Sequence, residues 1–306
     1  MPQLALLIAQ LGVVLVAARL AGWLFRRINQ PQVVGEMVAG IMLGPSLLGW
    51  VAPGVSEVLF PPQSLGFLNS LSQIGLLIFM FLVGVELNPR LLRSAGRTAL
   101  ITSHAGIVVP FLLGAALAPV LHQRFAEDGV GLTGFALFMG TAMSVTAFPV
   151  LARILHERGL LQTRVGVVAI ACAAVGDVTA WCILAAVVVL TRAGGDSGTG
   201  LPLWAMLAGA GGYAVAMLLG VRRILKRLGT AYHRRGQLTQ DMLTLVLLLA
   251  LASALITEWL GLHALFGAFL AGIVLPKDHA FVEALTAKLT DVTVVLFLPL
   301  FFAFTG

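Results

Sequence analysis

The residue of this sequence best suited to chemistry is an aspartate in the middle of an apolar segment. Asp177 stands within Ala173–Trp181 with no basic residue at a matching depth. An ionised carboxylate at the centre of a bilayer costs about 2.5–3.5 kcal/mol even on mild insertion scales, so such a side chain must face water or a partner. A carboxylate there can hold a proton or a dehydrated alkali cation but not both, which is the minimal mechanism of cation/proton exchange. The alternative is an aspartate that only joins helices by hydrogen bonding.

A second polar segment, residues 140–149, could supply the other half of an ion site. Pro149 cannot donate a hydrogen bond to the carbonyl of Val145, and its ring clashes there, so the helix should be broken opposite Asp177. A carbonyl freed at membrane depth is tolerated only when it is buried in protein or lines a cavity. Hydroxyl oxygens suit hard cations, and this segment offers those of Thr141, Ser144 and Thr146. The alternative is a simple proline kink whose hydroxyls bond to the previous turn.

Three further residues are weaker candidates. Glu36 lies early in another apolar segment, where contact with cytoplasmic headgroups and a funnel or packing role are favoured over transport. His104 could relay protons, although packing is the preferred interpretation, and Gly176 is an accessory position beside Asp177. The sequence holds no nucleophile–base set and no metal-ligand spacing, so we predict neither an enzyme nor a cofactor or metal site.

Composition indicates the solvent that surrounds these residues. The 306 residues are 59% hydrophobic and 10% charged, with a mean hydropathy of +1.00, whereas soluble domains carry about 25% charged residues. We therefore predict an all-α polytopic membrane protein in a lipid bilayer. A span needs about 20 apolar residues, and ten such runs lie near 4–25, 33–51, 66–85, 97–120, 132–154, 163–191, 203–221, 241–259, 261–276 and 286–304.

The basic residues predict the orientation of these spans. If the amino terminus lies outside, sixteen Lys and Arg residues fall in cytoplasmic loops and two in the opposite loops, as the positive-inside rule expects. This places the chain in the cell membrane. The net charge of +6 then needs no nucleic-acid partner, although the basic run 222–235 could contact anionic lipid instead of serving as an ordinary linker.

Two short matches within the chain predict an inverted repeat, with an ion site at the repeat interface. Gly40 in span 2 corresponds to Gly272 in span 9, and Gly84 in span 3 corresponds to Gly306 in span 10. The members of each pair run in opposite directions through the membrane. Because counterparts of spans 4 to 6 would follow residue 306, we expect an incomplete inverted-repeat antiporter fold, stopped three helices early, with one broken core helix.

At these residues the sequence resembles the monovalent cation:proton antiporter-2 family, which includes Kef-type potassium efflux proteins and sodium/proton exchangers. The matching stretches are Gln30–Pro45, Phe79–Glu86, Ser144–Leu155 and Ala173–Trp181. The resemblance implies a homodimer and one sodium/hydrogen exchanger-type transmembrane domain over residues 1–306. Within it, the resemblance implies dimer or scaffold helices in 1–96, core helices in 97–192, and a linker helix with the start of the second repeat in 193–306.

The resemblance also implies roles for individual residues. Asp177 matches the family's ion-binding aspartate, and span 5 matches its first broken helix. Electrogenic relatives carry a second acid where this chain has Gly176, which implies electroneutral exchange of Na⁺ or K⁺ for protons. The expected site is Asp177 with Thr141, Ser144, Val145 and Thr146, and Gly176, Glu36 and Pro149 as accessories. Two alternatives are the membrane part of a ligand-gated potassium efflux system and a non-transporting fragment.

Overall fold

The computed structural model describes residues 3–87, 89–126, 130–191 and 203–305, and the described chain is helical, with no strand. The helices of the first half are α1 (Gln3–Arg27), α2 (Gln32–Leu43), α3 (Leu48–Val51), α4 (Pro53–Leu59), α5 (Pro62–Glu86), α6 (Pro89–Phe125), α7 (Leu132–Ser144) and α8 (Phe148–Glu157). Those of the second half are α9 (Arg164–Thr191), α10 (Leu203–Val215), α11 (Arg222–Arg235), α12 (Gln240–Trp259), α13 (Ala264–Val274), α14 (His279–Val292) and α15 (Leu298–Thr305). Short π-helical turns join α10 to α11 and α14 to α15.

The prediction of an all-α polytopic membrane protein is confirmed, but fewer than ten spans are found among the described residues. Within the described ranges, seven segments are long and apolar enough to cross a bilayer: Leu4–Arg27, Gln32–Val51, Pro62–Glu86, Ala99–Phe125, Leu132–Glu157, Gln240–Trp259 and His279–Thr305. Predicted span 9 contains only the 11-residue helix α13, because Pro276 stops it at one end and the turn at residues 260–263 at the other. Predicted spans 6 and 7 include residues whose side chains lie outside the description.

The predicted interruption of span 5 is present. Helix α7 ends at Ser144 and α8 begins at Phe148, and the residues between them are not helical. Val145 and Ala147 both have extended backbone angles, with ψ of 127° and 95°. The break begins four residues before Pro149, at the carbonyl that the proline ring excludes from helical bonding.

Two close helix crossings are related by the predicted repeat. A Cβ atom on Gly272 of α13 would collide with the carbonyl oxygen of Phe81 on α5, and one on Gly40 of α2 would collide with that of Ala303 on α15. The repeat offset of 232 residues takes Gly40 to Gly272, and the offset of 222 takes Phe81 to Ala303. Residues that correspond in sequence therefore make corresponding contacts, which supports the inverted repeat. The other matched glycine, Gly306, lies outside the described residues.

These crossings bring five helices into one apolar core. Val33 of α2, Phe79 of α5, Phe148 of α8, Phe269 of α13 and Phe302 of α15 are all at most 7% exposed and belong to a single cluster. Since helices in lipid associate through close packing and not through exclusion of water, the small residues at the crossings determine how near these side chains can come.

We expect Gly40→Ala and Gly272→Ala each to lower the thermal stability of the detergent-purified protein. The added methyl group meets backbone, which cannot rotate away, and overpacking of this kind costs about 1–3 kcal/mol. Gly212→Ala is the matched control, because no atom lies within 4 Å of its Cβ position. If the three variants have equal melting temperatures, the crossings are not as close as described here.

Candidate functional site

Asp177 on α9 faces the interruption of span 5 across a small cavity. The cavity has a volume of about 320 Å³ and is lined by Asp177 together with Val145, Thr146 and Pro149. Gln73 of α5 and His263, which precedes α13, complete its polar lining. The structure thus brings the predicted acid and three of the predicted residues of span 5 to one place.

The interruption leaves backbone carbonyls outside both helices. The last helical bond of α7 runs from the amide of Val145 to the carbonyl of Thr141 (3.2 Å), and the first of α8 runs from Leu151 to Ala147 (3.2 Å). The carbonyl oxygens of residues 142–146 lie between the last hydrogen-bonded carbonyl of α7 and the first of α8. Two of these residues, Val145 and Thr146, line the same cavity as Asp177.

The three predicted hydroxyls occupy different environments. Thr141 donates to the carbonyl of Leu137 (2.8 Å) and Ser144 to that of Thr141 (2.9 Å), as in the alternative of hydroxyls bonded to the previous turn. Ser144 also lines a second cavity, of about 590 Å³, beside Gly176. Thr146 is exposed and lines both cavities, so its hydroxyl is the one of the three that lies beside Asp177.

Glu36 lies in a separate polar cluster, where its side chain is fully buried. Its Oε1 accepts a hydrogen bond from Nε2 of Gln32 (2.9 Å) and lies 3.7 Å from Nη2 of Arg153, which is 3% exposed. Helix α8 covers Glu36, so its side chain packs inside the protein and does not reach the headgroups. Arg153 lies within α8 and is buried with it.

Further contacts hold the start of α2 against the end of α8. The backbone amide of Gln32 donates to both carboxylate oxygens of Glu157, at 2.8 and 3.0 Å. Arg158 donates through Nη2 to the carbonyl of Asn29 (2.9 Å). Helix α8 thus runs from the Asp177 cavity at its first residue to a set of polar contacts with α2 at its last turn.

An aromatic layer surrounds the first residue of α8. Phe148, the first residue of α8, packs edge-on against Phe269 at a centroid distance of 5.1 Å and is stacked with Phe266 at 6.4 Å. Arg153 lies five residues further along α8, about 7.5 Å along the helix axis at 1.5 Å per residue. The start of α8 is consequently buried among apolar side chains, with Phe148 only 1% exposed.

Two lining residues were missed by the sequence analysis. His263 accepts a hydrogen bond through Nδ1 from the amide of Leu265 (3.4 Å) at the start of α13, and the neighbouring amide of Ala264 donates to Glu258 (2.8 Å). The polar residues Glu258 and His263, just before an apolar helix, could have indicated this helix cap. No pattern in the sequence indicates that Gln73 lines the cavity. His104 lies exposed on α6, bonded through Nδ1 to the carbonyl of Leu100 (2.8 Å), and lines neither of these two cavities.

We expect Arg153→Met to lower the free energy of unfolding by about 3–5 kcal/mol, because it leaves the buried Glu36 carboxylate without its cationic partner. The double variant Glu36→Gln/Arg153→Met should recover most of that loss, since a neutral amide can still accept from Gln32. Thermal unfolding of the wild type, both single variants and the double variant measures the coupling. Additive losses would show that the two side chains do not interact.

Comparison with known proteins identifies the family of this chain. A family model described as "Sodium/hydrogen exchanger, transmembrane" matches residues 15–306. The Na⁺/H⁺ antiporter NhaS4 of Synechocystis sp. is 42% identical over 304 residues, which cover 99% of this chain and 73% of that protein.

Eukaryotic relatives match over the same length. Cation/H⁺ antiporter 17 of Arabidopsis thaliana is 42% identical over 307 residues, and K⁺/H⁺ antiporter 1 of Saccharomyces cerevisiae is 31% identical over 314. Each match covers 99% of this chain but only 36% and 35% of the respective relative. The resemblance drawn from the sequence motifs is confirmed, and the chain belongs to the sodium/hydrogen exchanger family of membrane proteins.

Proposed function

We propose that this chain exchanges Na⁺ or K⁺ for protons across a membrane, with Asp177 as the carboxylate that holds either one. The observation that carries this proposal is the shared cavity of Asp177 and the interrupted segment 145–147. Relatives of this chain are named as Na⁺/H⁺ and K⁺/H⁺ antiporters, so both cations are candidate substrates.

The oxygen atoms around Asp177 form the proposed cation site. Carbonyl oxygens of the interruption and the hydroxyl of Thr146 replace part of the water shell of the ion, and the carboxylate supplies the charge. The carboxyl-terminal end of α7 adds a partial negative charge from its helix dipole. When a proton neutralises Asp177 the site loses its net charge, and the cation leaves. Binding of one species therefore excludes the other.

Exchange further requires that the site opens to one side at a time. The cavity reaches His263, which the distribution of Lys and Arg places on the outer side, and the Phe148 layer closes the opposite side. We assign this conformation to an outward-facing state of a protein in the cell membrane, with its amino terminus outside. Lipid surrounds it, and a homodimer is proposed from the family resemblance.

The Glu36 cluster is then a contact between two moving parts. If residues 1–96 form the scaffold and 97–192 the core, the Glu36–Arg153 pair and the Gln32–Glu157 bonds join scaffold to core on the closed side. Opening this side breaks these contacts. A buried ion pair is strong while intact and costly when separated, so it favours a discrete closed state. In this scheme Glu36 controls access and does not bind the transported ion.

Replacing Asp177 by Asn should abolish exchange. In proteoliposomes with an internal pH-sensitive dye, addition of Na⁺ or K⁺ should change the dye signal for the wild type and leave it unchanged for Asp177→Asn. Asp291→Asn, which alters an exposed acid of α14, is the matched control and should behave as the wild type. If the dye still responds with Asp177→Asn, the ion site lies elsewhere in the protein. Cation flux without proton movement would favour a channel-like efflux pathway, and an unresponsive wild type would overturn the proposal for this chain.

A single carboxylate predicts electroneutral, one-for-one exchange. The wild-type rate should be the same at zero and at an imposed membrane potential, because no net charge crosses per cycle. Gly176→Asp adds the missing acid at a position where a Cβ atom would lie 3.3 Å from Oγ of Ser103, and it should make the rate depend on voltage. Clear voltage dependence of the wild type would refute the one-for-one stoichiometry.

A further inference from the structure

Helices α5 and α13 end beside each other, and a proline lies just beyond each end. The carbonyls of Val85 and Gly272 would normally accept from the amides four residues later, but those residues are Pro89 and Pro276, which have no N–H. The close crossing at Gly84 and Gly272 brings these carbonyls together. Two helix ends with partial negative charge thus converge without their usual four-residue donors, and the carbonyl of Gly272 keeps a long bond from the amide of Leu275 (3.4 Å).

The side chain of Lys277 supplies those donors. Its Nζ donates to the carbonyls of Gly84 (2.7 Å), Val85 (2.8 Å) and Gly272 (2.9 Å). An ammonium group has three N–H bonds, and all three are used here. One lysine therefore joins the ends of the two helices that cross at Gly84 and Gly272.

The surroundings of Lys277 make its charge sensitive to pH. A cavity of about 850 Å³ adjoins it and is lined by Glu86 of α5, Arg222 of α11, and His279 and Glu283 of α14. Among these described groups Arg222 is the nearby cation and Glu86 the nearby acid. Burial, reinforced by Arg222 and opposed by Glu86, lowers the pKa of Lys277 from its usual 10.5 to about 7.

We propose that the carbonyls of Gly84, Val85 and Gly272 form a monovalent-cation site that the protein fills with its own Lys277 ammonium. Carbonyl oxygens arranged around one point can replace the hydration shell of an alkali ion. A free K⁺, Na⁺ or NH₄⁺ ion enters when the ammonium is absent. The adjoining cavity gives such an ion a route in and gives the neutral lysine side chain room to withdraw.

Proton and cation compete at this second site as well. Below pH 7 the ammonium occupies the carbonyls and excludes free ions. Above pH 7 the neutral amine offers two donors and directs a lone pair toward an oxygen atom, so a cation displaces it. This site fixes the α5–α13 crossing and does not lie on the transport path through Asp177. The inference stands whether or not Asp177 transports ions.

The test uses melting temperature in the Asp177→Asn background, so that cation binding at Asp177 contributes nothing. At pH 6, replacing choline by K⁺ or NH₄⁺ at equal ionic strength should leave the melting temperature of Asp177→Asn unchanged. The same exchange of choline for K⁺ or NH₄⁺ should raise the melting temperature of the double variant Asp177→Asn/Lys277→Met by about 2 °C or more. An ion that binds only the folded state stabilises that state. Lys288→Met in the same background is the control, because Lys288 donates to the carbonyl of Leu238 (3.0 Å) outside this site.

A second measurement keeps Lys277 in place, so it does not depend on the folding of the methionine variant. Raising the pH from 6 to 9 removes the proton of Lys277, and Asp177→Asn should then become more stable in K⁺ than in choline. A Lys277→Met variant whose melting temperature is the same in choline, K⁺ and NH₄⁺ would overturn the proposal. So would an equal response of Asp177→Asn to K⁺ at pH 6 and pH 9.

Discussion

A backbone carbonyl that loses its helical donor within a bilayer must find another partner, because no water is available there to replace it. Three prolines of this chain create such carbonyls where helices meet. Pro149 removes the donor for the carbonyl of Val145 in the middle of span 5. Pro89 and Pro276 remove the four-residue donors for the carbonyls of Val85 and Gly272 at the ends of α5 and α13, where Gly272 keeps a long bond from the amide of Leu275 (3.4 Å). The carbonyl of Val145 lies beside a cavity that contains Asp177, and the carbonyls of Val85 and Gly272 accept from the ammonium of Lys277.

Both sites place a charged side chain near carbonyl oxygen atoms, but the two charges have opposite signs. At the first site the protein supplies the anion and leaves room for a cation, whereas at the second it supplies the cation itself.

The features that were predictable from the sequence are those that cost much free energy in their immediate surroundings. An acid within an apolar segment and a proline four residues after a carbonyl each contradict the surrounding helix, and no distant residue is needed to recognise them. This is why Asp177 and the break at residues 145–147 were predicted at their positions. The pairing of Glu36 with Arg153 was not predicted, because each lies near the end of an apolar run, where a charge costs little. Only the packing of α2 on α8 shows that both are buried and 3.7 Å apart. Among the described residues predicted span 9 is too short to cross a bilayer, because hydropathy does not measure helix length and α13 ends after 11 residues.

The same distinction explains why part of the candidate site could not be predicted. Gln73 and His263 line the cavity because α5 and the start of α13 pack beside the interruption, and no periodicity in the sequence records that packing. Thr141 and Ser144 were selected for their hydroxyl groups. The direction of those hydroxyls depends on the helix in which they lie, and both donate to a preceding turn. Residue type therefore predicted which oxygen atoms were available, whereas backbone conformation decided that Thr146 is the hydroxyl beside Asp177.

The inverted repeat explains why the two helix crossings differ in chemistry although they share a geometry. The offset that takes Gly40 to Gly272 takes Pro45 to Lys277, so the residue five positions after the crossing glycine is a proline in one case and a cation in the other. Pro45 lines an apolar cavity near Leu300 and Ala303, and its side chain has no charge to offer. The crossing at Gly272 is instead followed by a lysine bonded to both helices.

Two copies of one packing arrangement have thus acquired different responses to protons. The crossing at Gly40 depends on close packing alone, while the crossing at Gly272 also depends on an ionisable group next to the predicted cytoplasmic surface. A symmetric scaffold with one charged crossing can couple proton concentration to packing on a single side of the membrane.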